Sequence, residues 1–422
     1  MKIDMPYSQS TISTEIDDHR ILGVLKNRPL PAVEDLECAV QRAIQNPIGS
    51  PPLREIVSNG DKIVIIVNDI TRPSPSEIMV REIVRELNEL EISDQDITIV
   101  IATGTHRPNT PAEMKKMLGP IADRFQVFNH DCQDQENLVY IGDTSQGLEI
   151  YINKLVARAN IRILTGIIAP HHGAGFSGGR KSIVPGVASL RTLKEHHSLP
   201  IRSFNPVYGV LHGNSFHEQA VEATRLVGVD FIVNVVPNAK KEIVAVVAGD
   251  LEEAHEAGAN ICRQMCEVTM PEKADIVLTS PGGYPRDINL YQALKAVATA
   301  EMAVKPEGVI ILVAECPEPI EDTDFPRWLR AADTPKEVIE RFQKEGFTIG
   351  SAKAFALARA VDQFQVIIVS EKIAVDELDG LFVTGATTLE DAFEIAEKIV
   401  GHQSKVLIIP HGNNLIPKEK EL

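Results

Sequence analysis

The chain has 422 residues, enough for two or three domains of about 100–200 residues each, and 44% hydrophobic against 24% charged residues is an ordinary globular balance with ample material for buried cores. Forty-two Lys and Arg against 59 Asp and Glu leave a net charge of −17, which argues against nucleic acid or an anionic membrane as partner, because both need a basic surface. A small anion held locally by a few Arg and Lys is still compatible with that balance.

The first seventeen residues (MKIDMPYSQSTISTEID) have no apolar core, so no signal peptide is expected. No apolar run reaches the roughly 18 residues a membrane span needs, and a reducing cytoplasm is the expected compartment. The five cysteines, Cys38, Cys132, Cys262, Cys266 and Cys316, are scattered and odd in number, which does not suggest a disulfide framework. Cys262 and Cys266 fall on one helix face without further ligands at zinc spacing, so buried thiols are expected.

From residue 62 onward, short β-branched runs recur: residues 62–67 (KIVIIV), 96–102 (DITIVIA), 162–165 (RILT), 231–236 (FIVNVV), 275–279 (DIVLT), 309–313 (VIILV), 366–369 (VIIV) and 406–409 (VLII). Near-continuous apolar runs suit parallel strands buried on both faces. Amphipathic stretches lie between them, at residues 76–90 and 334–345 for example. The alternation predicts an α/β class with open, mostly parallel sheets flanked by helices. A boundary is expected at the polar Met270-Pro271-Glu272-Lys273, giving residues 1–270 and 271–410, with the turn-rich 411–422 crossing back to the first domain.

Three strands run into polar or glycine-rich turns: Val67 into Asn-Asp-Ile-Thr-Arg-Pro, Ala102 into Thr-Gly-Thr-His, Thr279 into Ser-Pro-Gly-Gly. Ligands of open α/β sheets sit beyond the carboxyl ends of the strands, so chemistry is expected there. In the first turn, Asp69 or Thr71 reads as an N-cap for the helix starting near Pro75, while Arg72 suggests a grip on a carboxylate or phosphate. His106, in the second turn, has the side chain most often used as a general base near neutral pH. Tyr291, Gln292 and Lys295 are spaced to share one helix face over residues 287–296.

The densest segment is residues 171–197, HHGAGFSGGRKSIVPGVASLRTLKEHH. Its glycines allow amide N–H groups to approach an anion closely. Lys181 inside it suits either a phosphate contact or, with a neutral amine, a covalent attachment. A P-loop requires Gly immediately before the Lys, and here Arg180 intervenes. His196 and His197 fall on a predicted helix, about 100° apart, so only one faces the loop.

Taken in order, Asp69-Ile-Thr-Arg-Pro73, Gly104-Thr-His106, His171…Gly175-Phe-Ser-Gly-Gly-Arg-Lys181…Pro185-Gly186, His196-His197 and Tyr291-Gln292…Lys295 resemble the nickel-dependent lactate racemase family. Asn205-Pro206 and Gly213-Asn214…His217 look like further family positions. The resemblance implies two α/β domains with the active site at the interdomain cleft. It implies a nickel-pincer nucleotide, a pyridinium-3-thioamide-5-thiocarboxylic acid mononucleotide that holds nickel through two sulfurs and a ring carbon. Lys181 then carries it through a thioamide, with Asp69, Thr71, Gly178, Gly179 and Tyr291 among the cofactor contacts. His197, sixteen residues after Lys181, fits the protein ligand to nickel better than His196. The implied reaction is racemisation or epimerisation of a 2-hydroxyacid by hydride transfer through a transient 2-keto acid. His106 and His171 serve as the two bases, and Arg72, Gln292 and Lys295 as substrate contacts. Enzymes that make the cofactor are the expected transient partners.

One departure stands out. The family can carry a tryptophan over the substrate pocket, where this chain has Gly350-Ser-Ala-Lys353-Ala-Phe355; its single tryptophan is Trp328. A pocket open to something larger or more polar than lactate follows, with Lys353 either meeting a second carboxylate or simply solvated. Rival readings are an NAD-type hydroxyacid dehydrogenase, whose GxGxxG turn is missing, a non-catalytic nucleotide- or hydroxyacid-binding protein of the same fold, and a helper in cofactor assembly.

Overall fold

The computed structural model describes residues 1–72, 74–198, 208–320, 322–348 and 350–420. Pro73, Asn205 and Pro206 lie outside the described residues. The chain divides into two compact units, Pro29–Met265 and the combination of Met1–Arg28 with Cys266–Leu422.

The Pro29–Met265 unit is built on a six-stranded sheet in the order Ile243–Gly249, Phe231–Pro237, Ile161–Ile167, Ile63–Asn68, Ile97–Ala102, Gln126–Asn129. All pairings are parallel except the edge strand Ile243–Gly249, which returns antiparallel on Phe231–Pro237. The apolar runs are continuous because both faces are covered. Ile63, Ile65, Val67, Ile99 and Ile101 pack under the helices Leu36–Gln45 and Ser76–Glu89. Alternate residues Val64, Ile66, Val100 and Leu164 pack on the opposite face against Ile183, Val184 and Val187. Those three side chains are fully buried, each stabilising by roughly 1.5–3 kcal/mol. They clamp the segment after Lys181 onto the sheet and so hold the glycine-rich loop at the carboxyl end of the strands.

The second unit has a fully parallel six-stranded sheet in the order Thr384–Ala386, Gln365–Val369, Val304–Val313, Ala274–Thr279, Val406–Ile409, Ile21–Val24. Its last strand comes from the chain's N-terminus, which corrects the expected assignment of residues 1–270 to one domain. Ile21–Val24 pairs with Val406–Ile409, and the hairpin Lys2–Tyr7/Ser10–Glu15 packs Ile3, Met5 and Tyr7 into the same core as Ile276, Ile311 and Ile408. The C-terminal stretch also stays in this unit, because Ile416–Glu419 pairs with Glu267–Met270. All five cysteines are free thiols; only Cys38 is exposed. Among the described residues no helix is long and apolar enough to cross a membrane.

Candidate active site

Three neighbouring strands of the Pro29–Met265 unit, Ile161–Ile167, Ile63–Asn68 and Ile97–Ala102, deliver the predicted residues from their carboxyl ends. Asp69 follows the middle strand and is 3% exposed. It does not cap the helix Ser76–Glu89, whose N-cap is Pro75 without a side-chain hydrogen bond. Instead Asp69 Oδ1 accepts from Thr71 N at 3.0 Å and Thr71 Oγ1 at 2.6 Å, and Oδ2 lies 2.5 Å from His106 Nδ1. Burial works to raise the Asp69 pKa, but hydrogen bonds from His106 and Thr71 and the charges of His106 and Arg72 outweigh it and hold the group below its ordinary value. Because the carboxylate accepts at Nδ1, the neutral tautomer of His106 that this contact favours has its lone pair on Nε2. The turn carrying His106 is tied to the loop by a hydrogen bond from Gly104 N to Gly186 O, 3.0 Å.

His171 is held the opposite way. Its Nδ1 accepts from the amides of Gly173 and Ala174 at 3.1 and 3.0 Å, so Nε2 bears the proton. Burial, followed by the charges of Lys181, His172, Arg72 and Arg180, pushes its pKa well below the ordinary value, and the ring is neutral.

The loop between them is shaped by glycine and by one buried arginine. Gly178 sits at φ +83°, and a Cβ there would lie 2.6 Å from Asn234 Oδ1; the same oxygen accepts from Gly179 N at 2.8 Å. Arg180 is 1% exposed. Its guanidinium donates to the carbonyls of Ala174 and Phe176 at 2.7 Å each and Gly178 at 3.2 Å, and lies 2.7 Å from His255 Nε2. Asn214 ties the loop to the helix Ser215–Val227, capping Phe216 N and donating to Gly173 O at 3.0 Å. Lys181 then projects with its Nζ 5.2 Å from the Phe216 ring centroid. Burial, helped by the charges of Arg180 and Arg72, pulls its pKa down to about 7, so a substantial fraction of the amine is neutral near pH 7.

The helix Leu190–His197 brings both histidines to the same aromatic neighbour. His196 is 0% exposed and its Nε2 donates to Phe216 O at 2.8 Å, which makes it part of the core. His197 is half-buried, and its Nδ1 donates to Leu193 O at 3.0 Å, so Nε2 carries the lone pair. This is the tautomer a metal-binding imidazole needs, with the other nitrogen fixed by a carbonyl. Burial and the Lys181 charge depress its pKa to about 3, which keeps the ring neutral at physiological pH. Among the described residues no three His, Cys, Asp or Glu side chains converge on a metal position.

The second unit holds its own group. Residues 287–296 do not form the single helix expected. Asn289 caps a short helix, Leu290–Ala293, and a second one, Lys295–Ala300, starts after Leu294. Gln292 and Lys295 still meet, Lys295 Nζ donating to Gln292 Oε1 at 2.5 Å. Lys353, in the first turn of the helix Ser351–Gln363, places its Nζ 5.2 Å from the Tyr291 ring centroid. The side chain is half-buried, not solvated. Phe355 is buried against Phe342, which also packs edge-on with Trp328.

The residues that sequence reading passed over are those beneath the loop: Phe216, Asn234, His255 and, above all, Arg180. The sequence signal for Arg180 is an arginine in a glycine-rich loop whose backbone carbonyls need a donor.

Comparison with known proteins places these features in context. The model of the lactate racemase N-terminal domain matches residues 7–208, and that of the lactate racemase C-terminal domain matches residues 269–416. A lactate racemase from Thermoanaerobacterium thermosaccharolyticum is 36% identical over 425 residues, covering 99% of each chain. One from Lactiplantibacillus plantarum is 35% identical over 429 residues, again covering 99% of each. The structure of the lactate racemase apoprotein from T. thermosaccharolyticum superimposes with a TM-score of 0.91, covering 99% of this chain and 100% of that one. A protein of known structure from Thermotoga maritima shares the fold, with a TM-score of 0.64 at 18% identity, over 94% of this chain and 100% of that one.

Proposed function

This chain belongs to the lactate racemase family, and on that premise we propose that it racemises or epimerises a 2-hydroxyacid with a nickel-pincer nucleotide attached through Lys181. The observation that carries this reading is the Lys181 amine. It lies in a loop with Gly178 and Gly179 at positive φ, its pKa is drawn down to about 7, and no carboxylate among the described residues pairs with it. A lysine of that kind acts as a nucleophile toward an activated acid group. The loop amides suit the anionic part of a nucleotide, and His197, its Nδ1 committed to Leu193 O, offers Nε2 to nickel.

When bound, the cofactor supplies an electrophilic centre able to take the α-hydrogen with its bonding electrons and return it to either face. The chain's own residues handle the proton and the carboxylate. Removing hydride from the α-carbon requires the hydroxyl proton to leave as well, and His106, with Asp69 behind it, takes that proton at Nε2. His171 serves the other hand. As held, it presents Nε2–H as a donor toward the substrate oxygen, and it takes a proton there only in its other tautomer, with the two loop amides released and the ring proton moved from Nε2 to Nδ1 by exchange with solvent. Arg72 is assigned to the substrate carboxylate and developing charge, Lys295 and Gln292 to substrate binding, and Tyr291 and Thr71 to the cofactor.

The test is intact-protein and peptide mass with nickel analysis, on protein co-expressed with the cofactor-making enzymes. A nucleotide-sized adduct on the Lys181 peptide with about one nickel per chain is expected, and none in Lys181→Ala. No adduct from a host that loads a known lactate racemase overturns the reading. Chiral separation after incubation with a panel of 2-hydroxyacids then identifies the substrate.

A further inference from the structure

We propose that Phe216 is a positioning residue that sets the span between Lys181 and His197, the attachment point and the nickel ligand of the bound nucleotide. The inference rests on the nickel-pincer racemase reading and adds to it a residue that carries neither charge nor lone pair.

Phe216 touches both side chains. Lys181 Nζ lies over its ring, 5.2 Å from the centroid, and the His197 ring meets it edge-on, centroids 5.1 Å and planes 84° apart. The phenylalanine is itself held fast. It is 3% exposed and stands at the start of the helix Ser215–Val227, where Asn214 Oδ1 accepts from its backbone N–H at 3.1 Å. Its carbonyl accepts from His196 Nε2 at 2.8 Å, and the His196 ring packs against its own, centroids 3.9 Å apart. Asn214 also donates to Gly173 O at 3.0 Å, so the same short segment is bound to the glycine-rich loop. The pair His196-His197 thereby divides its work: the first grips Phe216 by its backbone, the second rests on its ring.

A ligand fixed at two points needs those points at the right separation before the second bond forms. The Lys181 amine ends a flexible four-carbon stem, and His197 is the last residue of the helix Leu190–His197, so neither fixes that separation unaided. A rigid ring whose backbone is locked on both sides does. Its negative face attracts the amine while the amine is charged, and it remains an apolar wall once the amine has entered a thioamide. Supporting residues of this kind tune a metal site although they never touch the metal.

The experiment uses holoenzyme from the co-expression host, with the Lys181 adduct quantified by peptide mass and each protein checked by thermal melting. Nickel release into excess EDTA is timed for the wild type, Phe216→Leu, Phe216→Met and, as control, Phe231→Leu, which removes a fully buried ring from the sheet core of the same unit. Expected is release about 10- to 100-fold faster from the Phe216 variants and within about 2-fold of wild type from the control. Failure of both Phe216 variants to take the adduct, with the control loaded, is the same result in stronger form. If neither folds, Asn214→Ala is read instead; it keeps the ring, frees its backbone N–H and is expected to release nickel at least about 3-fold faster. A wild-type release rate in the variant read, or equally fast release from Phe231→Leu, overturns the proposal and leaves the racemase reading standing. A wild type without the Lys181 adduct overturns both.

Discussion

His106 and His171 face the same proposed task from unlike surroundings. His106 is 45% exposed at its side chain and backed by a buried carboxylate. No acid among the described residues stands behind His171; it leans on two amides of its own loop, and that loop is kept in shape by a buried cation, Arg180. The difference teaches that equivalent chemistry does not require equivalent support. A strand-end turn fixes its histidine through a side chain, whereas a glycine loop, short of side chains, can fix one only through its backbone.

The largest effect expected is on the two rings themselves. His106→Gln and His171→Gln each reduce racemisation by about 100- to 10,000-fold, followed by chiral separation of product; full activity in either variant removes that residue from the mechanism. Because enantiomers have equal free energies, kcat/KM is the same in both directions for the wild type, so the unlike tautomers show as unequal kcat and KM for the two enantiomers. Equal values would mean that the two rings do not differ in tautomer.

Removing the two supports separates them next. Arg180→Met strands the carbonyls of Ala174, Phe176 and Gly178 at about 1–3 kcal/mol each, so a loss of at least about 3 kcal/mol is expected in urea unfolding. Asp69→Asn leaves stability nearly unchanged but lowers kcat about 100-fold, because an amide no longer enforces the Nδ1–H tautomer of His106. If the first variant melts like wild type, or the second loses fold instead of rate, the two supports are not of different kinds.

The Lys181 amine gives a pH test. Its pKa in the folded chain, about 7, is below the ordinary 10.5, so the native state holds fewer protons than the unfolded chain between those values, and this group's contribution to stability rises with pH across that window. Acetylation of apoprotein, read peptide by peptide, is expected to reach half-maximal rate at Lys181 near pH 7 and at surface lysines about three units higher. A Lys181 profile matching the surface lysines refutes a neutral anchor. The smallest effect is at the loop's tie to its neighbouring helix: Asn214→Ala removes the cap and the bond to Gly173 O, costing about 1 kcal/mol.

Much was readable in the amino-acid order. The sheet strands with continuous β-branched runs appear within a residue or two for most of them, since a strand covered on both faces must be apolar throughout. The ordered motifs around Asp69, His106, Lys181 and Tyr291 named the family because each is local in sequence. The hairpin at residues 2–15 has a local signal too, the alternation of Ile3, Met5 and Tyr7 with Lys2, Asp4 and Pro6, which become its buried and outer faces.

Other features could be decided only by folding. Neither the return of Ile21–Val24 to the sheet of the C-terminal half nor the pairing of Ile416–Glu419 with Glu267–Met270 is written in any local pattern, because strand partnership is a long-range choice. The same holds for the partner of Asp69, the burial of Arg180, the tautomers of His106, His171 and His197, and the nearness of Lys353 to Tyr291. Sequence by itself determined which chemical groups this protein carries and how its segments alternate. Tertiary structure decided which of those groups are charged, which nitrogen holds the proton and which cations lie side by side, because pKa and tautomer depend on burial and on neighbours far away in the chain.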